Sequence, residues 1–332
     1  MNFSLKLCGL AAALVGLSVS ATVQAQVLGS DFAANYTVTD LGSVDGLPPN
    51  YGGLTFLGTN TLLIGGAANG AAGSLYTIGV VRDAQGHITG FNGAAARYGT
   101  QIGAYNDGGV AFGPGGVLFT SRWPVNELGQ TKPGSTTEDK IIDLGALGVA
   151  SSHAGINFVP TGFAGAGLAK LVSWSGGQWY SASLQADGTG TYDLIGLNQV
   201  DLDLSTAAVD NLGGGPEGFV YIGGANAGFG SDSMLVSEYS SGLVGAYQID
   251  ANGDPLLATR RDFLTGLGGA EGAVIDPLTG DFLFSTFGGG SRVVVVSGFV
   301  VPAPAIPEPS TWALMLLGLA CSATLARRRS RR

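Results

Sequence analysis

Short apolar runs, each flanked by glycine, asparagine or aspartate, follow one another through residues 36–299. Such runs are typical of β-strands joined by tight turns. Between the two ends of the chain, no apolar pattern of useful length has the 3.6-residue period of a helix. The pattern therefore predicts an all-β body.

One short pattern, a glycine followed by an apolar strand, recurs five times in this body. Successive copies start 46 to 63 residues apart, which is close to the blade period of β-propellers. A second strand follows each copy, and a third strand is clear in four of them. The five copies occupy residues 53–58, 109–114, 155–160, 218–223 and 272–277.

The fifth unit has no fourth strand before Phe299, whereas residues 36–42 form a strand ahead of the first unit. Circular propellers close in this way, with an N-terminal strand completing the last blade. We therefore predict a β-propeller of five blades. The alternatives are a sixth blade within the long interval 155–218, and a β-sandwich or jelly roll, which would not explain the fivefold recurrence.

The first 25 residues have the layout of a secretory signal peptide. Lys6 provides the positive region, residues 7–19 are apolar, and small residues precede a cleavage site after Ala25. We expect export through the secretion translocon.

The C-terminus combines a proline-rich spacer (300–309), an apolar run (312–326) and a basic tail (327–332). The run is shorter than the roughly 20 residues of an ordinary spanning helix. Arginines at this flank stay cytoplasmic, which makes Arg327, Arg328 and Arg329 the membrane stop. We expect a C-terminal membrane-anchor helix that leaves the body outside.

Residues 307–314 read Pro-Glu-Pro-Ser-Thr-Trp-Ala-Leu, and the apolar run and arginines follow in order. This segment resembles the PEP-CTERM sorting signal of Gram-negative bacteria. The resemblance implies that an exosortase, a membrane cysteine peptidase, recognises Pro307, Glu308 and Pro309. It implies transient residence in the inner membrane, followed by delivery to the cell surface or extracellular matrix. It covers only the last 30 or so residues.

We therefore divide the chain into four parts, of which the body is by far the largest. The expected parts are a signal peptide (1–25), a propeller body (26–299), a proline-rich spacer (300–309) and a sorting and anchor segment (307–332).

The charge and cysteine content of the body exclude several kinds of function. Six of fifteen Lys and Arg residues and one of twenty-four acidic residues lie in the end segments, which leaves the body a net charge of about −14. This charge argues against nucleic acid, whose binding requires basic residues, and acidic loops suit Ca²⁺. Both cysteines, Cys8 and Cys321, lie in the end segments, so the body has no disulfide or thiol chemistry.

Aligning the five units places one polar side chain within two positions of each repeat glycine. These residues are Tyr51, Asp107, His153, Glu217 and Glu271. Because the loops that lead into the inner strands gather at the channel of a propeller, the last four predict a site for Ca²⁺ or another divalent cation. Carboxylates suit a hard cation, and His153 suits a transition metal. The alternative is that the acidic residues cap glycine-rich turns.

Three short segments of the body partly resemble gluconolactonase-like propellers. Pro216-Glu217-Gly218 and Ala270-Glu271-Gly272 look like their Glu-Gly motif, and residues 106–108 look like their Asn-Asp-Gly segment. The resemblance implies that such Glu and Asn residues help to hold a catalytic metal. Those propellers have six blades, whereas five are counted here.

Two functions remain open from the sequence. The first is a binding or structural module for exopolysaccharide or a matrix protein, and the second is a metal-dependent lactonase-like hydrolase. Trp123, Trp174, Trp179 and Tyr180 are either a sugar-stacking surface or core residues between blades. No Ser-His-Asp arrangement or phosphate-binding loop can be assembled from the sequence.

Overall fold

The computed structural model describes residues 25–288 and 290–300. These contain twenty-one β-strands and three single-turn 3-10 helices, at Pro114–Gly116, Tyr239–Ser241 and Leu257–Thr259. Within these residues, no helix has the length and apolar character needed to cross a membrane. The signal-peptide segment up to residue 24, the sorting motif, the anchor and the basic tail lie outside the described residues.

The strands form five antiparallel sheets, the blades of a β-propeller. Two strands, β1 (Val27–Leu28) and β2 (Thr37–Gly42), precede the first blade. The first blade consists of β3 (Leu54–Phe56), β4 (Thr61–Gly66), β5 (Ser74–Arg82) and β6 (Ile88–Arg97). The second consists of β7 (Asn106–Phe112), β8 (Leu118–Arg122), β9 (Glu127–Thr131) and β10 (Lys140–Asp143).

The remaining three blades follow in chain order. The third blade consists of β11 (His153–Phe158), β12 (Ala169–Ser173), β13 (Trp179–Ala186) and β14 (Tyr192–Val200). The fourth contains β15 (Pro216–Ile222), β16 (Ser233–Glu238), β17 (Leu243–Gln248) and β18 (Arg261–Thr265). The fifth contains β19 (Ala270–Ile275), β20 (Phe282–Thr286) and β21 (Val293–Ser297). The first strands of the five blades contact one another around a common axis.

The N-terminal strand closes the ring as predicted. β2 pairs antiparallel with β21, with Thr37 opposite Ser297, and so completes the fifth blade. In addition, β1 pairs with β18 and becomes a fifth strand of the fourth blade. The two-residue strand β1 was not predicted, because Val27 and Leu28 are too few to show any alternation.

The blade number is five, and the long interval 155–218 contains no sixth blade. The extra length of this interval comes from the long hairpin of β13 and β14 and from the segment that follows β14. The sequence pattern missed β9, the third strand of the second blade, because Leu128 is the only large apolar residue among its five positions.

The core is divided into five apolar clusters, one at each junction between neighbouring blades. The junction between the fourth and fifth blades also takes in residues from both ends of the body. There the rings of Tyr36 and Phe299 lie 4.6 Å apart, and Phe32 packs against Phe263 at 5.0 Å. Each large side chain buried in this way contributes about 1.5–3 kcal/mol. The ring is therefore stabilised at the point where the chain closes it.

Candidate functional site

Three carboxylates from three different blades meet at the propeller axis. Asp107 lies on β7, Glu217 on β15 and Glu271 on β19. Each contributes an oxygen atom, and these oxygens lie within 4.8 Å of one another. The three side chains, called here the carboxylate trio, belong to residues that are 1%, 4% and 1% exposed, respectively. The alignment of the five repeat units predicts all three at the channel.

The strand pairing is irregular at each of the positions that carry the trio. The strand register shifts between Asn106 and Val110, between Pro216 and Phe219, and between Ala270 and Ala273. A bulge bends its strand and changes the direction of a side chain.

The glycine that follows each carboxylate allows the inner strands to approach closely. A Cβ atom on Gly108 would lie 2.8 Å from Glu217 Oε2, and one on Gly218 would lie 2.6 Å from the backbone nitrogen of Ala273. Both distances are too short for real contacts. The glycine that follows each carboxylate therefore allows the inner strands to come close enough to bring the trio together.

The trio carries no compensating positive charge from the described residues. None of the three side chains forms a salt bridge with any residue that the structure describes. One oxygen of each, namely Asp107 Oδ2, Glu217 Oε2 and Glu271 Oε1, also has no hydrogen-bond partner in the described part of the chain. Burial raises the pKa of Asp107 to about 7. Burial, and after it the neighbouring negative charges, raise the pKa of Glu217 and of Glu271 well above the usual value. Without a cation beside it, whether a metal ion or a positively charged ligand, the trio would hold protons near neutral pH.

A cavity of about 190 Å³ lies next to the trio. Glu217 and Glu271 line it together with Asn69 and four half-buried aromatic side chains, called here the aromatic mouth. The aromatic mouth consists of Trp123, Trp174, Tyr239 and Phe287.

Neighbouring rings of the mouth stand nearly perpendicular. The rings of Trp174 and Tyr239 lie 6.3 Å apart at 79°, and those of Tyr239 and Phe287 lie 6.1 Å apart at 71°. The rings are therefore walls around the cavity and not a flat platform.

His153 and Tyr51, which share the aligned positions, are not part of the trio. His153 is fully buried, neither ring nitrogen has a hydrogen-bond partner among the described residues, and burial lowers its pKa to about 3. Tyr51 is packed in the core between the first and fifth blades, where its hydroxyl accepts a hydrogen bond of 2.8 Å from the Val44 N–H. The axis therefore gathers three of the five aligned residues.

The four aromatic candidates from the sequence separate into two pairs. Trp179 and Tyr180 are buried in the core, and the Trp179 indole donates a hydrogen bond of 2.7 Å to Asp254. Trp123 and Trp174 line the mouth. Sequence reasoning missed Tyr239 and Phe287. The sequence does contain a signal for these two residues, because every residue of the aromatic mouth immediately follows the second strand of its unit.

Comparison with known proteins confirms the sorting signal at the C-terminus. Residues 305–332 match the PEP-CTERM protein-sorting motif. The motif implies that the protein is exported and processed by an exosortase. No curated protein matches the chain.

Several solved structures are similar to this chain at low sequence identity. Glutaminyl cyclase from Myxococcus xanthus is 12% identical, with 80% of this chain and 97% of that chain covered and a TM-score of 0.47. An auxiliary nutrient binding protein from Bacteroides thetaiotaomicron is 10% identical, with 79% and 76% covered and a TM-score of 0.46. The PQQ domain of pyranose dehydrogenase from Coprinopsis cinerea is 12% identical, with 82% and 97% covered and a TM-score of 0.44.

Proposed function

We propose that this protein is a ligand-binding module of the cell surface or extracellular matrix, and that it binds its ligand at the aromatic mouth with the help of a divalent cation. Asp107, Glu217 and Glu271 would hold the cation. The observation that carries this proposal is the presence of three unpaired carboxylate oxygens on buried side chains, two of which line a cavity.

The electrostatics of the trio support the proposed bound cation. Three carboxylates removed from water without a counter-charge are costly to bury. Oxygen ligands are the ones that Ca²⁺ and other hard divalent ions prefer. A bound divalent cation would offset two of the three buried negative charges and could take a hydroxyl oxygen of the ligand as a further ligand atom.

Exopolysaccharide is the ligand class that we propose for this site. Trp and Tyr side chains offer a sugar both an apolar body and a hydrogen-bonding group, and sugar hydroxyl groups can complete the ligand sphere of a hard cation. A matrix protein is the alternative partner.

The ends of the chain complete this proposal. Export would end with cleavage after Ala25. Residues 312–326 would then hold the protein in the inner membrane, with Arg327, Arg328 and Arg329 on the cytoplasmic side, until exosortase acts at Pro307, Glu308 and Pro309. The body would be released to the surface or matrix.

A metal-dependent lactonase-like hydrolase is the second candidate, because the trio opens into a cavity. A cation at such a position lowers the pKa of bound water and can supply a nucleophile. In this function, Glu217 or Glu271, which both line the cavity, would accept the proton from water.

Metal analysis and calcium-dependent melting of the purified protein test the proposal. We expect one divalent ion per chain and a rise in melting temperature with Ca²⁺, with both lost in Glu217→Gln and Glu271→Gln and kept in Asp45→Asn, a matched change at an exposed carboxylate.

The same experiment can also contradict the proposal. If no ion is found and Glu217→Gln raises the melting temperature without added calcium, the trio is a protonated structural cluster and the proposal is wrong. A screen for lactone and ester hydrolysis, with Glu217→Gln as the inactive control, decides between binding and catalysis.

A further inference from the structure

The aromatic mouth is built by one repeat position of the propeller. The residue that follows the second strand is Trp123 in the second blade, Trp174 in the third, Tyr239 in the fourth and Phe287 in the fifth. In the first blade this stretch instead carries Asn69, which lines the same cavity. Four neighbouring blades therefore each place one aromatic ring around a single opening.

The arrangement of the rings favours a compact group over a flat one. A sugar ring stacked on a platform needs one exposed aromatic face. Here Tyr239 stands between Trp174 and Phe287, nearly perpendicular to both. The faces of aromatic rings carry negative potential, so a small space lined by four aromatic rings and two carboxylates suits a cation.

The charged residues that line the cavity are all acidic. No Lys, Arg or His is among the residues that line it, whereas Glu217 and Glu271 are. Their unpaired atoms, Glu217 Oε2 and Glu271 Oε1, belong to side chains that are at least nine-tenths buried. A divalent cation on three carboxylates would still leave one negative charge at the base of the cavity. A neutral or anionic ligand leaves this charge without a partner.

We propose that the aromatic mouth binds an organic ammonium group. The rings would surround the substituted nitrogen, and the carboxylate base of the cavity would balance its charge. The inference rests on the proposed function for its location, and it deepens that function by specifying the ligand. A carbohydrate bound here would be an amino sugar with a free, protonated amine.

Calorimetric titration with three probes tests this proposal at about pH 6, where an ordinary amine is protonated. The probes are glucosamine oligomers, N-acetylglucosamine oligomers of the same length, and choline. We expect glucosamine oligomers to bind at least about tenfold more tightly than the acetylated ones, because acetylation removes the charge. Equal affinities overturn the proposal. Binding of choline without binding of glucosamine oligomers keeps the ammonium site and overturns the amino-sugar assignment.

Ring replacements provide the matched controls. Tyr239→Leu and Phe287→Leu remove one aromatic face each, and each should weaken glucosamine binding about tenfold. Tyr239→Phe keeps the face and should change affinity less than threefold. If the leucine variants melt like the wild type and bind equally well, the rings do not hold the ligand.

The two proposals fail in different ways. Metal bound through Glu217, together with equal binding of acetylated and free amines, overturns the ammonium inference and leaves the proposed function standing. Tight, ring-dependent glucosamine binding in excess chelator, with no ion found in the protein, overturns the metal and supports the ammonium site.

Discussion

The hydroxyl of Ser285 donates a hydrogen bond of 2.6 Å to the backbone carbonyl oxygen of Gly52. The same hydroxyl accepts a hydrogen bond of 3.0 Å from the Gly272 N–H. One side chain in the second strand of the fifth blade therefore joins the last blade of the ring to the start of the first. Ser121, at the same repeat position of the second blade, donates to Ala154 of the third blade at 2.5 Å.

Removing this hydroxyl should destabilise the ring. Ser285→Ala leaves two buried backbone groups, the Gly52 carbonyl and the Gly272 N–H, without the hydroxyl partner. Such loss costs about 1–3 kcal/mol. Urea unfolding should show a lower midpoint at an unchanged slope, which is the signature of a change in stability.

Ser237 is the matched control, because it occupies the same repeat position in the fourth blade and its buried hydroxyl has no hydrogen-bond partner among the described residues. Ser237→Ala removes a buried hydroxyl that has no partner there, and it should leave the free energy of unfolding unchanged or raise it. Equal losses in the two variants would mean that hydrogen bonding to the next blade is not what Ser285 contributes.

The fold could be predicted from the sequence because its main signals repeat. The repeat glycine of the inner strands has a physical reason to recur, since a side chain at Gly109 or Gly218 would collide with the backbone of a neighbouring blade. The closing strand β2 was predictable because the fifth unit lacked a partner. β1 was not, because its pairing with β18 depends on a strand edge that exists only in the folded ring.

The site was only partly predictable, for a different reason. Alignment to the repeat glycine gives the position of a residue along its strand, and it located Asp107, Glu217 and Glu271. It does not give the direction of the side chain. Tyr51 has a large apolar ring and is packed between blades, and His153 is buried apart from the trio. The aromatic mouth was missed because its pattern appears only when different units are compared at the ends of their second strands.

The stability of the ring should depend on pH through His87. Its Nδ1 lies 2.7 Å from Oδ2 of Asp281, which links the first blade to the fifth. The interaction with Asp281, supported by the charges of Asp83 and Asp276, raises the pKa of His87. The stabilisation is therefore complete below the unfolded pKa of about 6.5 and is lost as pH rises through the higher folded value.

Melting curves of the wild type and of His87→Gln, recorded from pH 5 to pH 9 (about the range in which histidine changes charge), measure this effect. The advantage of the wild type should shrink with rising pH. It should stay below about 1 kcal/mol, because the His87 side chain is 39% exposed and solvent weakens the pair. A difference that is constant across this range would contradict the prediction.

The buried pair of Lys170 and Asp254 should be far more sensitive to substitution than an exposed pair. The Lys170 side chain is fully buried, and Asp254 also accepts the hydrogen bond from the Trp179 indole. Lys170→Met leaves the carboxylate buried and without its cation, which costs about 3–5 kcal/mol. Lys140, whose partners Asp187 and Asp193 are more exposed, is the control, and Lys140→Met should cost less than about 1 kcal/mol. Similar losses in denaturant unfolding would show that burial does not determine the cost.

A methyl group at Gly218 should disrupt both the ring and the trio. The added Cβ would lie 2.6 Å from the Ala273 backbone nitrogen and 2.8 Å from the Glu271 carbonyl oxygen. Both neighbours are backbone atoms of the fifth blade and cannot turn away, so the strands must separate. Overpacking of this kind costs about 1–3 kcal/mol.

The control is Gly90→Ala on β6, where an added Cβ meets nothing within 4 Å. That change should be neutral or stabilise by about 0.4–1 kcal/mol, because alanine restricts the unfolded chain. Gly218→Ala should in addition abolish the calcium-dependent rise in melting temperature even where the protein remains folded, because it moves Glu217 and Glu271 apart. If Gly218→Ala lowers the melting temperature but keeps the full rise in melting temperature with calcium, the trio tolerates a wider spacing than the inner strands provide.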